Sequence, residues 1–109
     1  MKMIELKNGL YIIQGDKYRI LPKDSRRIVC GEAIAEKDER GDYVQDNLVG
    51  IVKGVEHGLL LLSPATRCKS YTVDFGHVRE VTTEMKEVKI PIENIESIVG
   101  MENREDGKN

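Results

Sequence analysis

Alternating apolar and polar positions run through most of the chain and predict a protein built mainly from β-strands. The N-terminal segment contains Asn8-Gly9 and Gly15-Asp16, two residue pairs that are typical of tight hairpin turns. Together they predict a three-stranded antiparallel meander, in which residues facing each other across strands share one side of the sheet. Ile12 falls on the side predicted to be exposed. The side predicted to be buried carries Ile4, Leu6, Tyr11, Ile13, Tyr18 and Ile20.

The stretch Asn47–Pro64 predicts a long β-hairpin at the centre of the fold. Its first strand contains Gly50 and Gly54, and glycines inside a strand are typical of strong bending or of close backbone approach. Glu56–Gly58 form the predicted turn. The return strand begins with Leu59–Leu62, and four consecutive leucines cover both faces of a strand. We therefore expect this strand to be buried on both sides.

The segment between the meander and this hairpin supports two interpretations. Residues 28–37 are expected to form a strand that pairs with residues 43–44. A short helix within 25–37 is the alternative, because Asp24 or Ser25 can cap it and the apolar residues that follow recur at helical spacing.

The C-terminal half predicts several shorter elements. After a polar loop over 65–69, strands are predicted over 70–75, 78–83 and 88–92. A single helical turn at Pro91–Asn94 precedes a last short strand, which contains Ile95, Ile98 and Val99.

A chain of 109 residues, 39% of them hydrophobic and 33% charged, fits one soluble globular domain. We place this domain at residues 1–100 and expect the polar residues 101–109 to form a flexible tail. No apolar run has the length of a signal peptide's core or of a membrane span. Cys30 and Cys68 are therefore expected to be reduced thiols of a cytoplasmic protein.

The layout of residues 47–99 resembles the small Sm-like and SH3-like β-barrels. Those families share a bent strand with glycines, a tight turn, a leucine-rich return strand and a closing element of the form I-P-x-E-N-I-x-x-I. In this chain the matching residues are Gly50, Gly54, Leu59–Leu62 and Ile90–Ile98. The resemblance implies a small, strongly bent antiparallel β-barrel, which here follows the N-terminal meander.

Sm-like RNA binders hold a base with an Asp and an Asn near the first tight turn and with an Arg-Gly pair near the end of the fold. The corresponding positions in this chain are Glu56–Gly58 and Ile98–Gly100. Because neither set has the side chains of that pocket, the resemblance implies the fold but assigns no RNA-binding residue.

Charge is arranged in blocks, although the net charge is only −2. Segments 17–27 and 64–79 are basic, whereas segments 28–47 and 80–100 are acidic. If the two basic segments meet in space, they can form a phosphate-facing patch for RNA, DNA or a nucleotide. The alternative is that the blocks pair across the fold as solvated surface charges. The candidate binding residues are Lys17, Arg19, Lys23, Arg26, Arg27, Arg67, Lys69, Tyr71, His77 and Arg79.

Metal-binding and catalytic patterns are weak in this sequence. A structural zinc ion needs four soft ligands, and the chain has four, namely Cys30, Cys68, His57 and His77. Their spacing, however, lacks the short clips of compact zinc sites. Cys68, Asp74 and His77 are the residue types of a nucleophilic site, yet the chain has no catalytic or phosphate-loop motif. We predict no enzyme, no cofactor and no bound metal.

The sequence therefore predicts a non-enzymatic cytoplasmic binding or adaptor module that acts through protein–protein contacts and forms a homo-oligomer. Open sheet edges favour such pairing between copies. The alternative function is nucleic-acid or nucleotide binding through segments 17–27 and 64–79. A single Phe, the lack of Trp and the near-neutral charge weigh against that alternative. The small size also fits an accessory protein of a phage or mobile element, and no membrane association is expected.

Overall fold

The computed structural model describes residues 2–7, 9–30, 43–72 and 77–101, and in those ranges the chain is mainly β-structure, as predicted. Two 3-10 helices, Ser25–Arg27 and Ile92–Asn94, precede β4 and β9. No helix of the described ranges is long and apolar enough to cross a membrane. The strands are β1 (Met3–Lys7), β2 (Leu10–Ile13), β3 (Lys17–Pro22), β4 (Val29–Cys30), β5 (Tyr43–Glu56), β6 (Leu59–Thr72), β7 (Val78–Met85), β8 (Val88–Pro91) and β9 (Ile95–Gly100).

The strands form two antiparallel sheets. β1 and β2 make a small sheet by themselves. The other strands form a larger sheet in the order β4-β8-β6-β5-β3-β9, and β7 also pairs with β6. Within the described ranges the outer strands β4 and β9 are not paired with each other, so the larger sheet is open there.

Strands β5 and β6, each 14 residues long, form the predicted central hairpin. β6 pairs with β8 over Leu59–Leu62 and with β7 over Ala65–Thr72, so it changes neighbour at Ser63-Pro64. Register shifts against β5 between Gly50 and Gly54 accompany the change. Such irregularities bend a strand, which lets one hairpin belong to two parts of the sheet.

The prediction of a polar loop over residues 65–69 is wrong, because β6 continues through these residues to Thr72. Arg67 in this stretch lies opposite Leu48 of β5 and forms an ion pair with the nearby Asp46. A charged residue can occupy a strand when its partner lies on the adjacent strand. The composition of one segment does not show that partner.

The core is formed by side chains of both sheets. The leucine run is buried as predicted at Leu60, Leu61 and Leu62, while Leu59 is half-buried. The buried cluster consists of Leu6, Ile12, Ile20, Leu48, Val52, Leu60, Leu62, Ala65, Val88, Ile90 and Ile95.

The predicted N-terminal meander is wrong in two respects, and the first is the register of β1 against β2. Lys7 pairs with Leu10 as predicted, but a bulge between Glu5 and Lys7 places Tyr11 opposite Glu5. An extra residue in one strand changes which side chains face the core. Tyr11 is consequently 52% exposed, whereas Ile12 is 1% exposed.

The second error in the predicted meander concerns β3, which pairs with β5 and β9 rather than with β2. Gly15, with a φ of 96°, holds the third position of a turn that the Asp16 amide closes by donating to the Ile13 carbonyl at 3.2 Å. This is the arrangement of a type II turn, whose twist does not match a two-residue hairpin. The chain instead joins β5, where the Gly15 amide donates to the Val52 carbonyl at 2.9 Å.

The ambiguous segment 25–37 is described as far as residue 30. Ser25–Arg27 form a 3-10 helix, and β4 then pairs with β8. The residues of this segment that are predicted to pair with residues 43–44 lie outside the described residues. The rest of the segment, including most of the alternative helix, lies outside the described residues.

The predicted closing element is confirmed. Ile92–Asn94 form one helical turn, and β9 follows and pairs with β3. Ile95, at the start of β9, is 1% exposed and anchors the strand in the core. The predicted polar tail lies outside the described residues after residue 101.

Candidate interaction surfaces

The first basic segment, 17–27, begins on β3 with two exposed cations, Lys17 and Arg19. Arg19 lies directly opposite Val49 of β5 and Val99 of β9. Because opposite residues of antiparallel strands share a face, Arg19 stands on the outer side of the sheet between two valines.

The second half of this segment is held by one buried amide, Asn94, which is 0% exposed. Its Nδ2 donates to the carbonyls of Asp24 (2.9 Å) and Arg27 (3.4 Å), and its Oδ1 accepts from the Asp24 amide (2.8 Å). The Asn94 carbonyl also accepts from the Lys23 amide at 2.7 Å. One residue thus fixes the backbone of residues 23–27 against the turn before β9.

Asn94→Ala is expected to lower the free energy of unfolding by about 2–3 kcal/mol, because it removes three hydrogen bonds to partly buried backbone groups of Asp24 and Arg27. Asn94→Asp keeps the size but replaces the donor that faces two carbonyls by an acceptor, so we expect at least as large a loss. Urea unfolding measures both variants. An Asn94→Asp variant as stable as the wild type contradicts this role of the amide.

Arg67, in the second basic segment 64–79, forms an ion pair inside the fold. Its Nε and Nη2 donate to Asp46 Oδ1 (3.1 Å) and Oδ2 (2.7 Å), and the side chains of Arg67 and Asp46 are 11% and 5% exposed. Nη2 also donates to the Ser25 carbonyl at 2.9 Å. The two basic segments therefore meet here, but Asp46 neutralises the charge of Arg67.

Two other candidates of the second segment share a face with Arg67. Lys69 follows it two positions later on β6, and Arg79 stands two positions before Val81 of β7, which lies opposite Lys69. Lys69 is buried, whereas Arg79 and the nearby His77 are exposed. The side chain of Tyr71 lies outside the described part of the chain.

Arg27 and Lys23 occupy a third location. The Arg27 guanidinium forms an exposed ion pair with Glu93 in the turn before β9. Lys23 is exposed and has no such partner among the described residues. The side chain of Arg26 is not among the described ones.

Arg19 of the first basic segment and Arg67 of the second lie on opposite faces of the larger sheet. Leu48 lies opposite Ile20 on one side and opposite Arg67 on the other, so these three side chains share the inner face. Arg19, next to Ile20, points to the outer face. The structure thus brings Arg67 to the first segment's backbone but separates it from Arg19.

A depression of about 660 Å³ brings together residues that are far apart in the sequence. It is lined by Lys7 of β1, Lys23 after β3 and His57 in the turn between β5 and β6. Sequence reasoning missed Lys7 and treated His57 only as a turn residue. No periodicity links these positions, because they converge only through the packing of the small sheet against the larger one.

The large hydrophobic side chains that the described part of the structure leaves exposed all lie on strands with one described neighbour. Sequence analysis did not select them as a group, because alternation does not show which strand lies at an edge. They are Met3 of β1 (61%), Tyr11 of β2 (52%), Val29 of β4 (48%), Val78 of β7 (59%) and Val99 of β9 (58%).

The two candidate zinc ligands Cys68 and His57 lie on different elements of the fold. Cys68 lies within β6, where its sulfur accepts a 3.9 Å contact from the Thr82 hydroxyl, and His57 lies in the β5–β6 turn. The side chains of Cys30 and Asp74 lie outside the described ones. Among the described residues, no group of three or more His, Cys, Asp or Glu side chains is arranged to hold a metal ion.

Comparison with known proteins yields no match to a protein-family model, to a curated protein or to a solved structure. The chain's function therefore has to be inferred from its own geometry and charge.

Proposed function

We propose that this protein is a small, non-enzymatic binding module that acts through protein–protein contacts and associates with copies of itself through its sheet edges. The observation that carries the proposal is the position of the exposed hydrophobic side chains. Three of them, Val29, Val78 and Val99, lie on strands of the larger sheet that are paired on one side only within the described ranges.

Sheet edges are the places where soluble monomers usually put charge or proline, because an unpaired edge can add a strand from another chain. β7 and β9 are the longest edges of the larger sheet, with eight and six residues. Each presents an exposed valine, Val78 or Val99, and valine favours a strand environment. An edge strand without a partner on one side suits strand addition between proteins.

The bent barrel of the Sm-like and SH3-like type is part of the same proposal. It is supported by β5 and β6, which change neighbours along their length, and by the pairing of β9 with β3 across the sheet. Small barrels use such shared, bent strands to join two sheets. Association through the edges then extends the larger sheet from one copy to the next.

Nucleic-acid or nucleotide binding through segments 17–27 and 64–79 stays the alternative. Arg67 is half-buried and paired with Asp46, and Lys69 is buried, so both are poorly placed to meet a phosphate backbone. Lys17 and Arg19 remain exposed on the outer face. Binding that falls steeply with salt and is weakened by Arg26→Ala with Arg27→Ala favours this alternative.

The edge proposal is tested by placing lysine at each exposed valine. We expect the wild type to self-associate, and Val78→Lys and Val99→Lys each to weaken association about tenfold, because each buries a charge and loses apolar contact. Analytical ultracentrifugation over a concentration series measures the association constant. Met3→Lys, on the small sheet, makes the same charge change at equal exposure and serves as the control.

A strictly monomeric wild type at high concentration refutes self-association. If Met3→Lys weakens association while both valine variants leave it intact, the edges of the larger sheet are the wrong surface.

A further inference from the structure

The depression between the small sheet and the turn before β9 has the composition of a ligand site rather than of a protein edge. Its rim carries Lys7, Lys23 and His57, and its floor consists of Leu59, Pro91 and Ile92, which are half-buried. Cations around an apolar floor are the pattern of small-molecule sites, where polar groups orient a ligand and apolar surface holds its body.

The charge of this depression is positive, because its single acid is already paired. Glu93 lines the depression, but its carboxylate forms an ion pair with Arg27. Lys7 Nζ donates to the Ile95 carbonyl at 3.3 Å, which holds the ammonium at the rim and leaves two of its three donors available. Within the described part of the chain, the side chains of Lys23 and His57 have no hydrogen-bond or ion-pair partner.

The backbone that shapes the depression is fixed from both sides. His57 has a φ of 50° and Gly58 a φ of 77°, and the Gly58 carbonyl accepts from the Ile92 amide at 2.9 Å. Asn94 holds the Lys23 amide through its carbonyl at 2.7 Å. The positions of the rim residues are therefore set before any ligand arrives, which reduces the entropy cost of binding.

We propose that this depression binds a small organic phosphate monoester, with the phosphate between Lys7 and Lys23 and the organic group on Leu59, Pro91 and Ile92. Lysine ammonium groups act as point charges that suit a phosphate, whereas a planar carboxylate is matched better by the fork of an arginine. The apolar floor favours an ester over inorganic phosphate. This site is separate from Val78 and Val99 on the edges of the larger sheet.

The proposal is tested by titrating the full chain with phenyl phosphate, inorganic phosphate and phenol while amide chemical shifts are followed by NMR. We expect phenyl phosphate to bind more tightly than inorganic phosphate, with shifts at Gly58, Leu59 and Ile92, and phenol to bind least. The double variant Lys7→Ala with Lys23→Ala is expected to weaken phenyl phosphate binding at least about tenfold. Lys2→Ala with Lys17→Ala removes the same charge elsewhere and is expected to change binding less than about twofold.

Two results overturn the proposal: shifts that do not map to the depression, or equal weakening by the two double variants, which indicates diffuse charge attraction. If the Lys7 double variant does not fold, Lys23→Ala alone gives the same test, because the Lys23 side chain makes no described hydrogen bond.

Discussion

Gly50→Ala is expected to lower the free energy of unfolding by about 2 kcal/mol, although alanine ordinarily stabilises a strand relative to glycine. A Cβ at position 50 would lie 2.9 Å from the Pro64 carbonyl oxygen and 3.0 Å from the Cβ atoms of Leu62 and Ala65. The first of these contacts is with backbone, so β6 itself has to move away from β5. Chemical denaturation of the purified variant measures the loss.

Gly54→Ala is the matched control for this prediction. Gly54 lies on the same strand, and a Cβ there would meet nothing within 4 Å. Alanine should therefore be neutral or stabilise by up to about 1 kcal/mol through the lower entropy of the unfolded chain. Equal effects of the two substitutions would show that strand propensity, rather than the close approach of β6, sets the requirement for glycine at position 50.

Arg67→Ala is expected to cost about 3–5 kcal/mol, because it leaves the carboxylate of Asp46 without its partner in a buried position. The Asp46 side chain is 5% exposed and takes two hydrogen bonds from Arg67. Arg67→Ala also removes the donor to the Ser25 carbonyl, which ties the 3-10 helix to β6. Arg67→Lys keeps the charge but not the two-pronged geometry, so an intermediate loss is expected.

A double-mutant cycle of Asp46→Leu, Arg67→Met and the two together separates the ion pair from simple loss of packing. The double variant removes both charges, and we expect it to be more stable than Arg67→Met alone. The exposed pair of Lys53 and Glu87, 3.4 Å apart, is the control, and Lys53→Ala should change stability by no more than about 1 kcal/mol. If Arg67→Ala costs as little as Lys53→Ala, the buried pair does not hold β5 to β6.

The parts of the fold that sequence analysis predicted correctly depend on contacts between residues close in the chain. The β5–β6 hairpin follows from two strands and a tight turn between residues 47 and 64, and its leucines are buried as expected. The turn at Ile92–Asn94 and the strand after it form another local unit. The spacing of hydrophobic residues and the residue types at turns are enough to predict such local units.

The errors concern which strand lies beside which. A turn at Gly15 was predicted correctly. Whether β3 then pairs with β2 depends on β5, which begins many residues later and pairs with β3 instead. The bulge in β1 similarly exchanges Tyr11 for Ile12 at the core, because Leu6 and Ile12 fit the space under the larger sheet. A shift of one residue reverses a strand's faces, and only long-range packing decides it.

The candidate surfaces also include features that are visible in the sequence and features that depend on the tertiary structure. The basic blocks are visible in the sequence, but Arg67 was counted as a surface cation because its partner Asp46 lies on another strand. The rim formed by Lys7, Lys23 and His57 was missed, since those residues belong to three separate elements. Edge valines look like any other alternating apolar residue until the strand order is known.

The sequence by itself determined the mainly β class, the long central hairpin, the buried leucines and the closing turn, because each follows from periodicity and turn residues within a short stretch. Only the tertiary structure decided the partner of β3, the face of Ile12, the burial of Arg67 and the meeting of Lys7 with Lys23. Each of these depends on contacts between segments that are distant in the chain. Such contacts bury apolar surface and pair charges only when the whole fold is packed.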